Sequence, residues 1–416
     1  MSDHRVDVGT LELGGGLETL VRAALESVPV GGELEVVTVS RAVAYELSAW
    51  ARTAGHEEVG ERVEGAAGGR RFVVRIRKGS VARVLADALP PRGDPPPLEH
   101  GALHIAELRL SAPAGPSADP SGGLIPLGAV AEAGGPEYAW RLNERDRIWA
   151  DELASLTERA AKAQWDATRD IPWEAAAGLP AHVEQAVSQV MTYIAQNEYA
   201  ALYVPARFLP QVNPSYTEVL LWLSSHVYDE ARHVEVFTKR ALAGGAHAYA
   251  LASTDLSLHS LLEESDFSAA ALLLNVLGEG TFLDLLHFVE RHAPDAATAT
   301  AARLAHRDER RHVQFGIRHI RRRLALAPEE RDALVAAAEA RAAKLTSLSG
   351  LSPVLTESLT LMAARSLQPA DLSEAGIALR ELMKTMDRNR VRRLRAAGFD
   401  VDTARHLSDL HTPNLM

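Results

Sequence analysis

Two segments of the chain, Asp229-Glu230-Ala231-Arg232-His233 and Asp308-Glu309-Arg310-Arg311-His312, repeat one pattern, Asp-Glu-x-Arg-His, within stretches of helical periodicity. A Glu and a His three positions apart share one helical face, about a turn apart, so both can reach a single ion. Each motif trails another glutamate set among apolar residues: Glu198 stands 32 positions before Glu230, and Glu279 stands 30 before Glu309. Such spacings suit an antiparallel helix hairpin that brings the chain back to the same height, which makes the two halves an internal repeat. Apolar residues recur at helical spacing around every one of these positions. Val187, Val190, Met191 and Ile194 lead to Glu198, Leu223 and Phe237 flank Glu230, Val276 and Leu283 flank Glu279, and Ala302, Ala305 and Ile320 flank Glu309 and His312. All six ionisable groups are therefore predicted to face a core.

Such a core defeats itself unless something compensates it. Four ionised carboxylates in apolar surroundings repel one another and lose hydration, at several kcal/mol each. Two divalent cations would balance their charge, and a carboxylate-imidazole donor set suits iron or manganese. The chain has no cysteine, so disulfides, iron–sulfur clusters, thiolate zinc sites and cysteine nucleophiles are excluded.

The paired motifs resemble those of the ferritin-like di-iron carboxylate oxygenase and oxidase superfamily, in particular bacterial multicomponent monooxygenases and acyl-carrier desaturases. The resemblance covers roughly residues 180–325. It implies an all-α ferritin-like bundle holding two Fe ions, with Mn or a mixed Mn/Fe pair as alternatives. Glu198, Glu230 and His233 would mainly hold one ion and Glu279, Glu309 and His312 the other, with one bridging glutamate from each motif. Asp229 and Asp308 would accept from histidine N–H groups, each reaching the histidine of the opposite motif. Arg232 and Arg311 would pair with those aspartates as surface salt bridges. His226, four residues before Glu230, is expected as a buried hydrogen-bonding neighbour of the site, with a ligand role left open. His319 shares the stripe of His312 and has a weaker claim.

The resemblance implies an O2-activating enzyme whose four glutamates carry the chemistry and whose substrate is a small organic molecule. Hydroxylation, N-oxygenation, desaturation and oxidative cleavage stay open. A tyrosyl-radical reductase subunit would place tyrosine where Phe237 stands, and rubrerythrins add a four-cysteine site. A ferroxidase or metal-storage protein, and a non-catalytic interaction protein that keeps metal for stability, are the alternatives. No flavin or nicotinamide fingerprint is visible, so an external electron donor is expected, and the basic run Arg388 to Arg395 could receive it.

Residues 1–80 read as a small α/β unit. Glu33 to Val39 and Phe72 to Arg77 have strand patterns, Leu17 to Leu25 and Ala42 to Thr53 helical ones, and Gly31-Gly32 and Gly68-Gly69 supply turns. With Val30-Gly31-Gly32-Glu33-Leu34-Glu35-Val36-Val37, Ala49-Trp50 and Gly55-His56-Glu57, this unit resembles the small sulfur-carrier family with its βαβαββ two-layer fold. That family's sulfur-accepting cysteine is replaced by Gly14-Gly15-Gly16, so a docking or structural role is expected instead. Residues 81–136 have the Pro- and Gly-rich composition of a linker, with one candidate strand at Leu103 to Leu110. Residues 137–345 form the expected bundle and 346–416 a helical extension.

A net charge of −11 argues against wholesale nucleic-acid binding. The most apolar run, Ala269 to Leu277, is too short to span a bilayer, and no signal peptide is evident, so a cytoplasmic protein is expected. Whether it works as a monomer or a homodimer is left open.

Overall fold

The computed structural model describes residues 4–65, 69–79, 138–346 and 352–411, with six isolated residues between 103 and 136. The expected linker, its candidate strand and the Gly68 end of one expected turn lie almost entirely outside the described residues. The chain divides into two compact units, Met1–Pro95 and Pro96–Met416.

In the first unit the elements run β1 (His4–Gly9), α1 (Leu17–Glu26), β2 (Glu33–Thr38), α2 (Arg41–Thr53), β3 (Glu57–Glu64) and β4 (Arg71–Arg77). The sheet has the order β1-β2-β4-β3, with β1 parallel to β2 and the other pairs antiparallel. Leu17, Val21 and Leu25 of α1 and Val43, Ala44 and Leu47 of α2 pack with Val36, Val74 and Ile76 of the strands. Alternate strand residues turn away from that core and pair their charges, as Arg5 does with Glu64 at 2.6 Å and Arg62 with Glu35. The triglycine stretch leads directly into α1, where Gly16 takes a φ of 103° that a side chain would resist.

The second unit is helical. After α3 (Leu153–Lys162) come the long helices α4 (Ala181–Phe208) and α5 (Thr217–Ala243), then the short α6 (Ala252–Leu262). Helix α7 spans Phe267–His292 and widens into a π-helix over Leu272–Gly278. It is followed by α8 (Ala296–Leu326), α9 (Arg331–Thr346), α10 (Pro353–Ala364), α11 (Pro369–Ala396) and α12 (Val401–His411). Asp266 and Asp295 cap α7 and α8 by accepting from Ala269 N and Thr298 N, each at 2.8 Å.

Two apolar clusters build the core. One takes Val187, Val190 and Ile194 of α4, Phe237 of α5, Leu285 and Leu286 of α7 and Ala301 and Ala305 of α8. The other takes Val204, Trp222, Leu272, Val276, Phe315 and Ile320 from the same four helices. The charged residues of the repeat fall between these two sets on every helix, so they form a polar belt sealed by apolar layers. Helices α10, α11 and α12 contribute Leu359, Met386 and Leu407 to these clusters, so they share the core of the bundle.

The run read as too short for a membrane lies inside α7, which by length and composition alone could cross one. Its most apolar 18-residue window is 83% buried, as in the central helix of a bundle.

Candidate metal centre

Glu198 comes from α4, His226, Glu230 and His233 from α5, Glu279 from α7, and Glu309 and His312 from α8. None exceeds 4% exposure. Their ligand atoms converge into two groups, each small enough to surround one ion: Glu198, Glu230, His233 and Glu309, and His226, Glu230, Glu279 and His312. Glu230 belongs to both. Glu309 also faces both sides, with Oε1 3.3 Å from His233 Nδ1 and Oε2 3.4 Å from His312 Nδ1. One glutamate from each motif thus stands between the two groups.

The local sequence explains this convergence. Glu230 and His233 sit one turn apart on α5, with Nδ1 3.4 Å from a carboxylate oxygen. On α7 the π-helical turn ends at Gly278, just before Glu279, and Asn275 donates to Glu279 Oε2 at 2.7 Å. Such a turn carries an extra residue per hydrogen-bonded loop and re-aims the side chains beyond it. Gly316 of α8 packs where a Cβ would lie 2.5 Å from Asn275 Cβ, so α8 approaches the π-helical turn at glycine distance.

The histidines are held from behind. His312 Nε2 lies 3.3 Å from Asp229 Oδ2 and His233 Nε2 3.5 Å from Asp308 Oδ2, so each aspartate serves the motif opposite its own. Both Nδ1 atoms are thereby left facing the carboxylates. Arg232 and Arg311 are buried, not on the surface as expected. Each guanidinium contacts both aspartates: Arg232 reaches Asp308 at 2.9 Å and also Asp229, while Arg311 reaches Asp229 at 2.7 Å and Asp308 at 2.8 Å. The positions i and i+3 that bring Glu and His together also place Asp and Arg together, one step round the helix towards the neighbouring helix. Trp165, which no local pattern singles out, donates to Asp308 Oδ2 at 2.6 Å and stacks on His233.

His226 is more intimate with the centre than expected. Its Nε2 lies 3.0 Å from Glu279 Oε1 and 3.4 Å from Glu230 Oε1, and its ring stacks on His312 at 3.8 Å. His319, in contrast, is a satisfied core histidine, with Nδ1 2.9 Å from Trp149 O and Nε2 2.9 Å from Ser268 Oγ.

Burial and the belt's own charges shift its titrations in opposite directions. Burial, and next the charge of Glu230, push the Glu198 carboxyl well above the usual range. Burial also raises Glu279, against the pull of His226. Burial acts on Glu230 in the same sense, but the charge of His233 and contacts with three histidines hold it well below. His233 and His312 are raised: burial opposes their charge, and Glu230 with the two aspartates overcomes it.

The residues fit a metal pair. Glu198 Oε1, both oxygens of Glu230 and of Glu309, and Nδ1 of His233 and His312 are all buried without a hydrogen-bond partner. Seven such atoms turned inward in a sealed core amount to a donor set of N and O atoms suited to iron or manganese.

No family profile and no curated protein matches the sequence. Solved structures of an R2-like ligand-binding oxidase do match at low identity. One with aerobically reconstituted Mn/Fe cofactor after a long soak is 18% identical, covers 64% of this chain and 91% of that chain, and has a TM-score of 0.41. Another, with aerobically reconstituted metal cofactor after photoconversion, is 17% identical over 63% and 90%, with a TM-score of 0.40. A point mutant with anaerobically reconstituted Mn/Fe cofactor is 16% identical over 58% and 94%, with a TM-score of 0.43.

Proposed function

We propose that the chain is a ferritin-like, dinuclear non-haem metal oxidoreductase that uses O2 to oxidise a small organic substrate. The observation that carries this reading is the pair of buried ligand groups that share Glu230. In it Glu198, Glu230, His233 and Glu309 would hold one ion and His226, Glu230, Glu279 and His312 the other, with Glu309 facing both groups. When bound, a reduced iron or Mn/Fe pair supplies electrons to O2. The protein's own residues do the rest. Asp229 and Asp308 keep each histidine's proton on Nε2, so that Nδ1 presents a lone pair. Against the effect of burial, His312 and His233, and after them Arg311, hold Asp229 and Asp308 below the usual carboxylate range.

Phe237 packs beside His233, and Phe282 lines a cavity with Glu198 and Glu279, which keeps bulk water from the reacting groups. That apolar cavity favours an organic substrate over stored metal. Electrons would enter from an external donor. A groove between α7, α8 and α11 carries Arg310, Arg392 and Arg395 against a single acid, Asp284, and suits an acidic donor protein.

Metal analysis after anaerobic iron loading tests the reading, followed by O2 uptake with candidate substrates. Two ions per chain with substrate-dependent O2 uptake supports it. Folded protein that takes up no transition metal ends it, and growth of a ferric mineral would assign the chain to metal storage.

A further inference from the structure

The cavity beside the carboxylates contains one group that the proposed chemistry does not use. Its wall is made by Glu198, Glu279 and Glu309, by apolar residues that include Leu258, Leu261 and Phe282, and by Arg341 of α9. Arg341 is 4% exposed. Its Nη1 donates to Ser257 O at 3.1 Å and to Ser260 Oγ at 2.6 Å, and its Nη2 to Ser257 Oγ at 3.4 Å. These partners are all neutral. Among the described residues no carboxylate lies within ion-pair distance of it, the three glutamates of the same cavity included. Four other buried arginines of the bundle, Arg232, Arg240, Arg311 and Arg323, each pair with an Asp or Glu, while the buried Arg390 donates to Ser408 and Thr281 and does not line this cavity. A guanidinium taken out of water with only hydroxyl and carbonyl partners is left with most of its charge uncompensated, which proteins seldom tolerate without a purpose.

We propose that this cavity binds small carboxylic acids with an apolar stem, Arg341 acting as counter-ion to the carboxylate. The inference rests on the reading of the three glutamates as metal-facing, because that places the stem of a ligand anchored on Arg341 along the wall next to the ions. A planar guanidinium matches a carboxylate in a two-bonded fork, and the fork pins the head so that the stem is presented in one orientation. Leu258, Leu261 and Phe282 would contact the stem and reject a second charge. The cavity is narrow, about 30 Å³. A ligand must therefore part these side chains as it enters, which predicts slow association.

Calorimetry on the full-length, iron-loaded protein under anaerobic conditions tests this, with hexanoate and benzoate as probes against hexanamide and benzamide of the same shape. The acids are expected to bind about tenfold or more tighter than the amides. Arg341→Gln should bring the acids down to the level of the amides while two ions per chain are still retained. Equal affinity for acid and amide, no binding of either, or full acid binding by Arg341→Gln would each overturn the proposal. The last result would mean that the carboxylate is held by the metals. Repeating the titration on metal-free wild-type protein needs no variant to fold. Acid-selective binding there supports the anion site even if the protein loads no metal, whereas loss of all selectivity there sinks it even if the metal reading stands.

Discussion

At the scale of single residues, the centre is a set of charges that are tolerable only together. Removing His312 takes a ligand atom from one group and leaves Asp229 facing an empty position. His312→Ala and Glu230→Ala are therefore expected to bind fewer than two ions per chain by elemental analysis, with the Glu230 variant losing more, since Glu230 serves both groups. Asp308→Ala leaves Arg232 and Arg311 buried with half their compensation and should lower stability by about 3–5 kcal/mol in denaturant titration. Buried histidines set the response to acid. Burial pushes His319 and His411 down to about 4. Both are neutral in the fold but protonate near 6.5 once unfolded, so stability is intact above 6.5 and falls as pH drops from there towards 4. Each contributes on the order of 3 kcal/mol across that window. His319→Gln should flatten the slope of Tm against pH between 6.5 and 4.5, and an unchanged slope would refute the assignment.

At the scale of elements, the repeat was legible because the chemistry repeats in register: Glu and His at i and i+3, a core glutamate one hairpin earlier, apolar residues between. What stayed hidden has a common cause, since it depends on neighbours distant in sequence. Arg232 and Arg311 read as solvated because an arginine near an aspartate on a helix usually is, and it takes the packing of α5 on α8, with Gln164 and Trp165 over Arg232, to bury them. Trp165 reaches Asp308 across 143 positions. Arg341 carries no local mark at all. The π-helical turn was invisible for a different reason, because Leu272 to Leu277 is apolar at every position but Asn275, so its periodicity fits either winding. Gly316 is the place to test that turn. Gly316→Ala would push a methyl into Asn275, and overpacking of this kind costs about 1–3 kcal/mol. The expected result is a lower Tm together with weaker metal retention, because Asn275 also holds Glu279. A variant of unchanged metal content would show that the turn is not what positions that glutamate.

At the scale of the whole molecule, every residue of the candidate centre lies in the second unit. Deleting residues 1–80 should leave a bundle that loads metal like the full chain, by elemental analysis; a folded bundle that cannot load would assign the first unit to the centre. The first unit has its own core of Val, Leu and Ile side chains. With glycine in place of a thiol it is expected to show no persulfide transfer. Finally, α7 has a consequence for how the protein is made. It emerges from the ribosome before α8 and α11, whose side chains cover it, and for that interval it is a bare apolar rod of 26 residues. To the machinery that sorts nascent chains, such a rod resembles a membrane segment. A chain that stops near Asp295 should therefore be recovered with membranes or aggregates, and one that continues through α11 in the soluble fraction, so that the sequence after the centre acts as an intramolecular chaperone for the helix that builds it.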